Sequence, residues 1–409
     1  MIDNREKTES YILVAVSTGS EAETAASLDE LEELVGAAGG EVRGRLTQNL
    51  ERIRSGTYIG TGKIEELKEL IEDEEADGIV CDDELSPAEM RNLSDRLDCK
   101  VLDRTMVILD IFARRASTRE GRIQVELAQL KYRATMLTGM GRALSRLGGG
   151  IGTRGPGETK LESDRRSIHE RISRLKAELE SIRAHREVNR ARRERNALPV
   201  LALVGYTNAG KSTLLNVLTG AEVFTEDQVF ATLDPTTRNL KLPTGENVLL
   251  TDTVGFIHKL PHHLVDAFRS TLEESRYADI LIHVVDASNP RADHQIQVVY
   301  ETLRSLSIGD KRIITVFNKK DLVTGEFIPR DPEADASLMI SAKTGDGLDE
   351  LTAVISRLLK EGRVLIERVY SYSDAAFLAR LRKYGEVLEE EYLPEGIRIK
   401  AMVPRAFAF

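Results

Sequence analysis

Gly205-Tyr206-Thr207-Asn208-Ala209-Gly210-Lys211-Ser212 is a GxxxxGK[ST] run. Residues of these types at this spacing can hold a phosphate chain. The glycines let the backbone turn several amide N–H groups onto one polyphosphate. Lys211 would reach the outer phosphates. The Ser212 hydroxyl would ligate Mg²⁺, and Thr213 next to it would join the nucleotide contacts. The context fits as well, because an apolar run at 199–204 precedes the loop and a helix-like KSTLLNVLTG stretch follows it.

Two later motifs choose the base. Asn318-Lys319-Lys320-Asp321 follows an apolar run at 313–317. The Asp321 carboxylate can accept from both N1–H and the exocyclic amino group of guanine, and adenine has neither donor there. A site built around such a bond discriminates by factors of about 10⁴–10⁵. Asn318 would tie this loop to the phosphate loop, and Lys319 would lie over the ring. Ser341-Ala342-Lys343 would add a backbone N–H for guanine O6. Between these motifs stands Asp252-Thr253-Val254-Gly255. Asp252 would hold Mg²⁺ through water, and the Gly255 N–H would sense the γ-phosphate. Upstream, Phe230-Ala231-Thr232-Leu233-Asp234 has the mixed character of a switch loop. Thr232 is the preferred second side-chain ligand to Mg²⁺, with Thr236 and Thr237 as rivals. Lys211, Thr232 and Gly255 are thus the residues expected at the reacting phosphate.

Phe256 follows that last glycine, at the position where the Ras-like GTPases that this motif order resembles commonly place a water-orienting glutamine. Phenylalanine cannot hydrogen-bond the attacking water. Phosphoryl transfer depends almost wholly on positioning and charge stabilisation. The sequence therefore predicts slow hydrolysis that quickens when a partner completes the site. The alternative has Phe256 packed under the switch while another polar residue orients the water.

Such motifs need a scaffold that brings several loops to one end of a sheet. Within 198–361, apolar runs at 199–204, 248–251, 280–285 and 313–317 alternate with helix-like stretches, which predicts an α/β domain. Residues 1–113 repeat the alternation, with runs at 11–17, 78–81 and 100–102 and helical spacing at 28–35 and 64–71. They predict a small parallel sheet. Residues 114–197 differ. A helix over 125–137 leads to a glycine-rich interruption at 148–157, then to a long charged helix over 160–195. In that helix Ile168, Ile172, Leu175, Leu179 and Ile182 step by 4, 3, 4 and 3, a heptad seam. The seam predicts an antiparallel helical hairpin, although a helix lying on a neighbouring domain would show it too. Residues 362–409 read as a short α+β piece with a strand-like run at 396–403.

The charge is uneven. The 409 residues carry net −10, yet 114–197 holds 21 Lys or Arg against 10 Asp or Glu, a local net of +11. A basic centre in an acidic chain points to a polyanionic partner or, more plainly, to a solvated helix surface. Arg142, Arg146, Arg154 and Lys160 flank the glycine run, and Arg165, Arg166, Arg171 and Arg174 continue along the helix. A loop without bulky side chains can enter RNA crevices while arginines neutralise phosphates. Tyr132 is the one aromatic of the segment, so shape and phosphate recognition are expected rather than base stacking. A flexible linker is the competing account of the glycines. Elsewhere, Gly60-Thr61-Gly62-Lys63 opens a helix, as a turn or as a seat for an anion. His262 and His263 are adjacent and would point apart, so no metal besides Mg²⁺ is expected.

Composition excludes several classes. No apolar run approaches the roughly 18 residues of a membrane span, and the first residues lack the order of a signal peptide. Two cysteines, Cys81 and Cys99, form no CxxC pattern. A disulfide framework is not expected, and a reducing, cytoplasmic setting is.

With these motifs in order, 205–343 resembles a Ras-like GTPase of the translation-factor class. The phrases FATLDPTTR (230–238), DTVGFIHKLPHHLVDAF (252–268), HVVDASNP (283–290) and GTRGPGETKLE (152–162) resemble the HflX family. That resemblance implies a cytoplasmic GTPase, with GTP and Mg²⁺, that binds the large ribosomal subunit and splits stalled or idle ribosomes. It implies four parts: an N-terminal α/β domain (1–113), a hairpin whose loop approaches the peptidyl transferase centre (114–197), a GTPase domain (198–361) and a variable C-terminal piece (362–409). Some members bind ATP outside the GTPase domain, which keeps the run at 60–63 open. The chain is expected to be monomeric when free. Two rival classes remain, a ribosome-assembly GTPase and a nucleotide-gated protein adaptor, the second disfavoured by the basic segment. Asp321 argues against an ATPase.

Overall fold

A computed structural model describes residues 8–147, 156–194, 198–220, 229–230, 232–259, 275–308, 311–323 and 330–403. Contacts divide the chain into two units. The first is Met1–Glu180 with Glu226–Asp234 and Ile257–Ser270, and the second is Ser181–Thr225, Pro235–Phe256 and Thr271–Phe409.

The first unit opens with strands β1 (Ser10–Ser17), β2 (Glu41–Asn49), β3 (Gly78–Cys81) and β4 (Lys100–Asp103), interleaved with helices α1 (Glu21–Ala37), α2 (Thr61–Asp73), α3 (Pro87–Leu97) and α4 (Arg104–Arg115). The strands are all parallel in the order β2-β1-β3-β4. β1 is buried at every position, as a strand covered on both faces must be. β2 carries no apolar run to announce it. Its EVRGRLTQN sequence is mostly polar because β2 is an edge strand, exposed along most of its length. Local signals fix the helix starts. Ser86 and Glu89 form a reciprocal capping box at α3 with Pro87 in its first turn, and Asp103 caps α4. Next to that cap, Arg104 is buried with its guanidinium on Asp82, Glu30 and Ser27.

Helix α5 (Arg119–Leu147) and helix α6 (Pro156–Glu194) follow. Arg119 pairs with Glu178, and Arg171 pairs with Glu126. Seven residues forward on α5 is seven residues back on α6, so the pairing is antiparallel. The hairpin reading holds. Ile172, Leu175 and Leu179 are buried along the seam, as are Ile123, Val125 and Ala128 of α5.

The second unit contains a six-stranded sheet built from β5 (Val200–Gly205), β6 (Thr236–Lys241), β7 (Asn247–Asp252), β8 (Ile280–Asp286), β9 (Arg312–Asn318) and β10 (Ala336–Met339). Helices α7 (Lys211–Thr219), α8 (Ala292–Ser305) and α9 (Leu348–Glu361) join it. The order is β10-β9-β8-β5-β7-β6, with β6 alone antiparallel. β7 and β8 flank β5, so the chain reverses its winding at the end of β5, where α/β sheets take their ligands. The core includes Leu201, Leu203, Leu250, Ile282, Val316 and Ile355. A three-stranded antiparallel sheet closes the chain, with β11 (Val364–Tyr370), β12 (Glu386–Leu393) and β13 (Gly396–Val403) in the order β11-β13-β12 and α10 (Ala375–Tyr384) packed on it. The mixed α/β class expected from the sequence is the one observed.

Candidate functional site

The phosphate loop leaves the buried end of β5 and runs into α7. Gly205, Asn208 and Gly210 adopt positive φ, at 149°, 58° and 93°, which curls the backbone inward. Tyr206 and Ala209 are buried. Lys211 is buried at the first position of α7, where its ammonium donates to the carbonyls of Gly205 at 3.1 Å and Tyr206 at 2.7 Å. Burial pulls that ammonium down to about 8 against the opposing attraction of Asp252.

The end of β7 lies beside this loop. Ser212 Oγ donates to Asp252 Oδ2 at 2.7 Å. A hydroxyl and a carboxylate in contact are the hard oxygen donors that suit Mg²⁺. Thr253 donates to the Leu203 carbonyl at 2.6 Å and anchors the turn. Val254 is buried. Gly255 has no room for a side chain. A Cβ there would lie 2.8 Å from Thr207 Cα and 3.0 Å from Lys211 Nζ. Phe256 is buried, and its main chain is paired with the phosphate loop. Thr207 N donates to Phe256 O at 2.8 Å, and Phe256 N donates to Gly205 O at 3.0 Å. The segment after Asp252 is therefore fastened to the loop it would help to read.

Asn318 joins the two base-side motifs to the phosphate loop. Its Nδ2 donates to the Ala209 carbonyl at 2.9 Å, and its Oδ1 accepts from Ala342 N at 2.9 Å. Ser341 Oγ donates to Asp321 Oδ1 at 2.6 Å and, with Lys343 and Lys319 nearby, holds that exposed carboxyl below its usual range. Lys319 adopts a positive φ of 62° and pairs with Asp286 at 2.7 Å. Lys320 faces away and pairs with Asp346. Sequence reasoning missed Asp286, although its place at the end of β8 could have marked it.

Thr236 and Thr237 open β6, where Thr237 Oγ1 lies 2.9 Å from Thr251 Oγ1. Residues 230–234 belong to the first unit. Phe230 and Leu233 are buried, and the Phe230 ring meets Phe112 edge-on at 4.8 Å. Ala231 lies outside the described residues. Adjacency in sequence groups Asp234 with the nucleotide-contacting stretch. The structure instead sets its carboxylate on Ser117 and Thr118, with four hydrogen bonds.

Of the basic residues, Arg165 and Arg166 are exposed on α6, while Arg171 staples the hairpin to Glu126. Arg142, Arg146 and Lys160 fall within helices whose side chains at these positions are not described, and Arg154, His262 and His263 lie outside the described residues. Tyr132 is no stacking platform. It is buried with its hydroxyl on Asp103 at 2.7 Å. Gly60 stands at the N-terminus of α2, its N–H donates to Gln48 Oε1 at 2.8 Å, and it is followed by a Lys63–Glu66 pair. Among the described residues no group of three or more His, Cys, Asp or Glu could hold a metal, and no helix is long and apolar enough to cross a membrane.

Three family models match in tandem. They are described as GTP-binding GTPase N-terminal over residues 25–113, GTP-binding GTPase middle region over 115–193, and 50S ribosome-binding GTPase over 200–319. The chain is 61% identical over 404 residues to GTPase HflX of Lacrimispora saccharolytica, covering 99% of this chain and 96% of that one. It is 50% identical over 399 residues to GTPase HflX of Caldanaerobacter subterraneus, covering 98% and 92%. A crystal structure of a GTP-binding protein from Sulfolobus solfataricus in complex with GDP aligns with 26% identity over 86% of this chain and 98% of that one, at a TM-score of 0.46.

Proposed function

The chain belongs to the HflX family of GTPases, and on that premise we propose that it is a Mg²⁺-dependent switch acting on ribosomes in the cytoplasm. It would bind the large subunit and couple GTP binding and hydrolysis to splitting or rescue of ribosomes. The observation that carries the GTP reading is the Asn318 bridge. One side chain lashes the phosphate loop to the loop bearing Ala342, and Asp321 stands three residues on with an exposed carboxylate. The ribosomal reading is supported by the family model described as 50S ribosome-binding GTPase and by the basic arm, where Arg165 and Arg166 are exposed. The four-part domain division follows the same reading.

In this account Lys211 donates to the β- and γ-phosphates once a nucleotide displaces it from the Gly205 and Tyr206 carbonyls. Ser212 and Thr232 would hold Mg²⁺, with Asp252 behind a water, and the ion would neutralise charge between the phosphates. The Gly255 N–H would face the γ-phosphate. The N–H groups of residues 207–213 would cradle the phosphates. Phe256 supplies no hydrogen bond to water, and its paired backbone keeps it from swinging out alone. Intrinsic hydrolysis is therefore slow, and the large subunit supplies the missing orientation or charge.

Steady-state GTP hydrolysis tests this reading when measured alone, with purified large subunits and with intact ribosomes, using Lys211→Ala as the blank. Strong stimulation by large subunits is the expected result. Fast turnover without any partner would overturn the incomplete-site argument, and absent stimulation despite demonstrated binding would favour an adaptor role.

A further inference from the structure

The Asp234 carboxylate sits at the first turn of α5. Its Oδ2 accepts from Ser117 N at 3.0 Å, Ser117 Oγ at 2.8 Å and Thr118 N at 2.8 Å, while Oδ1 accepts from Thr118 Oγ1 at 2.5 Å. Thr118 turns inward in its own right. Its Oγ1 accepts from Gly121 N at 2.9 Å, and its carbonyl accepts from Arg122 N at 3.0 Å. Helix α5 is thus capped twice, by Thr118 from within and by Asp234 from 116 residues away. The approach leaves no room for a Cβ at 121 while the carboxylate keeps its place. A Cβ on Gly121 would lie 2.4 Å from Asp234 Oδ1. Partial burial works to raise the Asp234 carboxyl, yet the four bonds hold it below its usual range.

This clasp has a neighbour of consequence. Thr232 precedes Asp234 by two residues, a reach of about 7 Å at full extension. Around Thr232 the chain is pinned on both sides, by Phe230 edge-on to Phe112 and by the Asp234 clasp, with Leu233 buried between. A segment pinned in this way has little freedom left to lose when a ligand orders it. We propose that Asp234 is a positioning residue that pre-organises Thr232 for the γ-phosphate and makes the first turn of α5 part of the nucleotide switch. The proposal rests on the reading that Thr232 meets the γ-phosphate.

The test compares affinities for GDP and a non-hydrolysable GTP analogue, with hydrogen exchange read at 119–123. Two variants attack the clasp from opposite sides. Asp234→Ala removes the acceptor, whereas Gly121→Ala favours helix intrinsically but drives the carboxylate off. Each should lower the ratio of GTP-analogue to GDP affinity by about tenfold, the size of one capping interaction. In Gly121→Ala the GDP affinity itself should stay put. In the unmodified chain the GTP analogue should protect 119–123 more than GDP does, and both variants should erase that difference. Thr232→Ala separates the two layers. If it leaves the affinity ratio unchanged, the reading of Thr232 fails. If it lowers the ratio while Asp234→Ala and Gly121→Ala do not, the clasp is structural and the proposal is overturned. An exchange difference at 119–123 that persists in both clasp variants would overturn it as well.

Discussion

Lys211 should make GTP binding fall with pH well below the range where lysines ordinarily titrate. Its ammonium is buried, with the Gly205 and Tyr206 carbonyls as acceptors, and burial takes it from 10.5 down to about 8. Phosphates offer full negative charge, so in the complex the ammonium should return to its ordinary range or above. Binding then requires a proton at any pH above about 8. For a free-state value near 8, the linkage relation gives a loss of about fourfold in GTP affinity between pH 7 and 8.5. Guanine N1–H still keeps its proton over that interval. The unliganded chain should respond with the opposite sign. Its folded value lies below the unfolded one, so the unfolded chain binds more protons between about pH 8 and 10.5. Stability rises with pH across that window, and the gain is lost as pH falls back through 8. Integrated from the folded value to the unfolded one, at about 1.36 kcal/mol for each pH unit between them, the full swing is about 3 kcal/mol. Nucleotide titrations by calorimetry, paired with thermal unfolding of the unliganded chain across that pH range, would read both effects. A flat affinity from pH 7 to 8.5, with stability equally flat up to pH 10, would refute the reasoning. It would mean that the two carbonyls stabilise the ammonium as well as water does.

Three further outcomes are expected. Arg104→Met strands the buried Asp82 and Glu30 carboxylates and should destabilise the first unit by about 3 kcal/mol, since removing one partner of a buried pair leaves uncompensated charge; a change below about 1 kcal/mol in urea unfolding followed by circular dichroism would contradict this. Asn318→Ala deprives the Ala209 carbonyl and Ala342 N–H of their partner, at about 1–3 kcal/mol each, so GTP and GDP affinity should drop together by about thirtyfold or more; loss of GTP affinity alone would show that Asn318 acts on the γ-phosphate side. Exchanging Arg154 and Lys160 for Glu should weaken large-subunit binding and flatten its salt dependence while GTP affinity stays intact, and loss of both in a filter-binding assay would mark these residues as structural.

The elements that carry the phosphate loop were legible because buried parallel strands are written in continuous apolar runs. PVLALV and GIVC each lie within a residue of the parallel strands that form, and GIRIKAMV, a mixed run, coincides with β13 of the antiparallel sheet. Two edge strands were not legible, although β4, the other edge of the first sheet, was read at 100–102. β2 and β6 are polar along most of their length, because solvent on one side removes the demand for apolar residues. In β6 this polarity left Thr236 and Thr237 standing as rivals of Thr232 for the Mg²⁺ ligand. The hairpin could be read further than either, since a 4-3-4-3 seam demands a narrow apolar partner surface and a second helix stands next to it in the sequence to supply one. The ion pairs that fix its direction, Arg119–Glu178 and Arg171–Glu126, could not be read, because charges are plentiful throughout both helices.

Motif spacing reads local chemistry well and long-range chemistry poorly, and Asp234 shows why. Five contiguous residues looked like one ligand-contacting stretch, because adjacency along the chain is the only proximity a sequence displays. The side chains in fact part company. Phe230 goes to Phe112, Leu233 goes inward, and Asp234 goes to the start of α5. A trace of this remained in the sequence: Gly121, two residues into a strongly charged helix where glycine costs about 0.5–1 kcal/mol relative to alanine. A glycine at such a place requires a reason, and the reason lies 113 positions further along the chain, in the Oδ1 atom that its missing Cβ accommodates. The same logic holds at Gly255, where the space belongs to Thr207 and Lys211. One glycine makes room for Thr207 and Lys211 and the other for the clasp next to Thr232. Both are positions at which the smallest substitution tests whether close approach, rather than backbone freedom, is what glycine supplies.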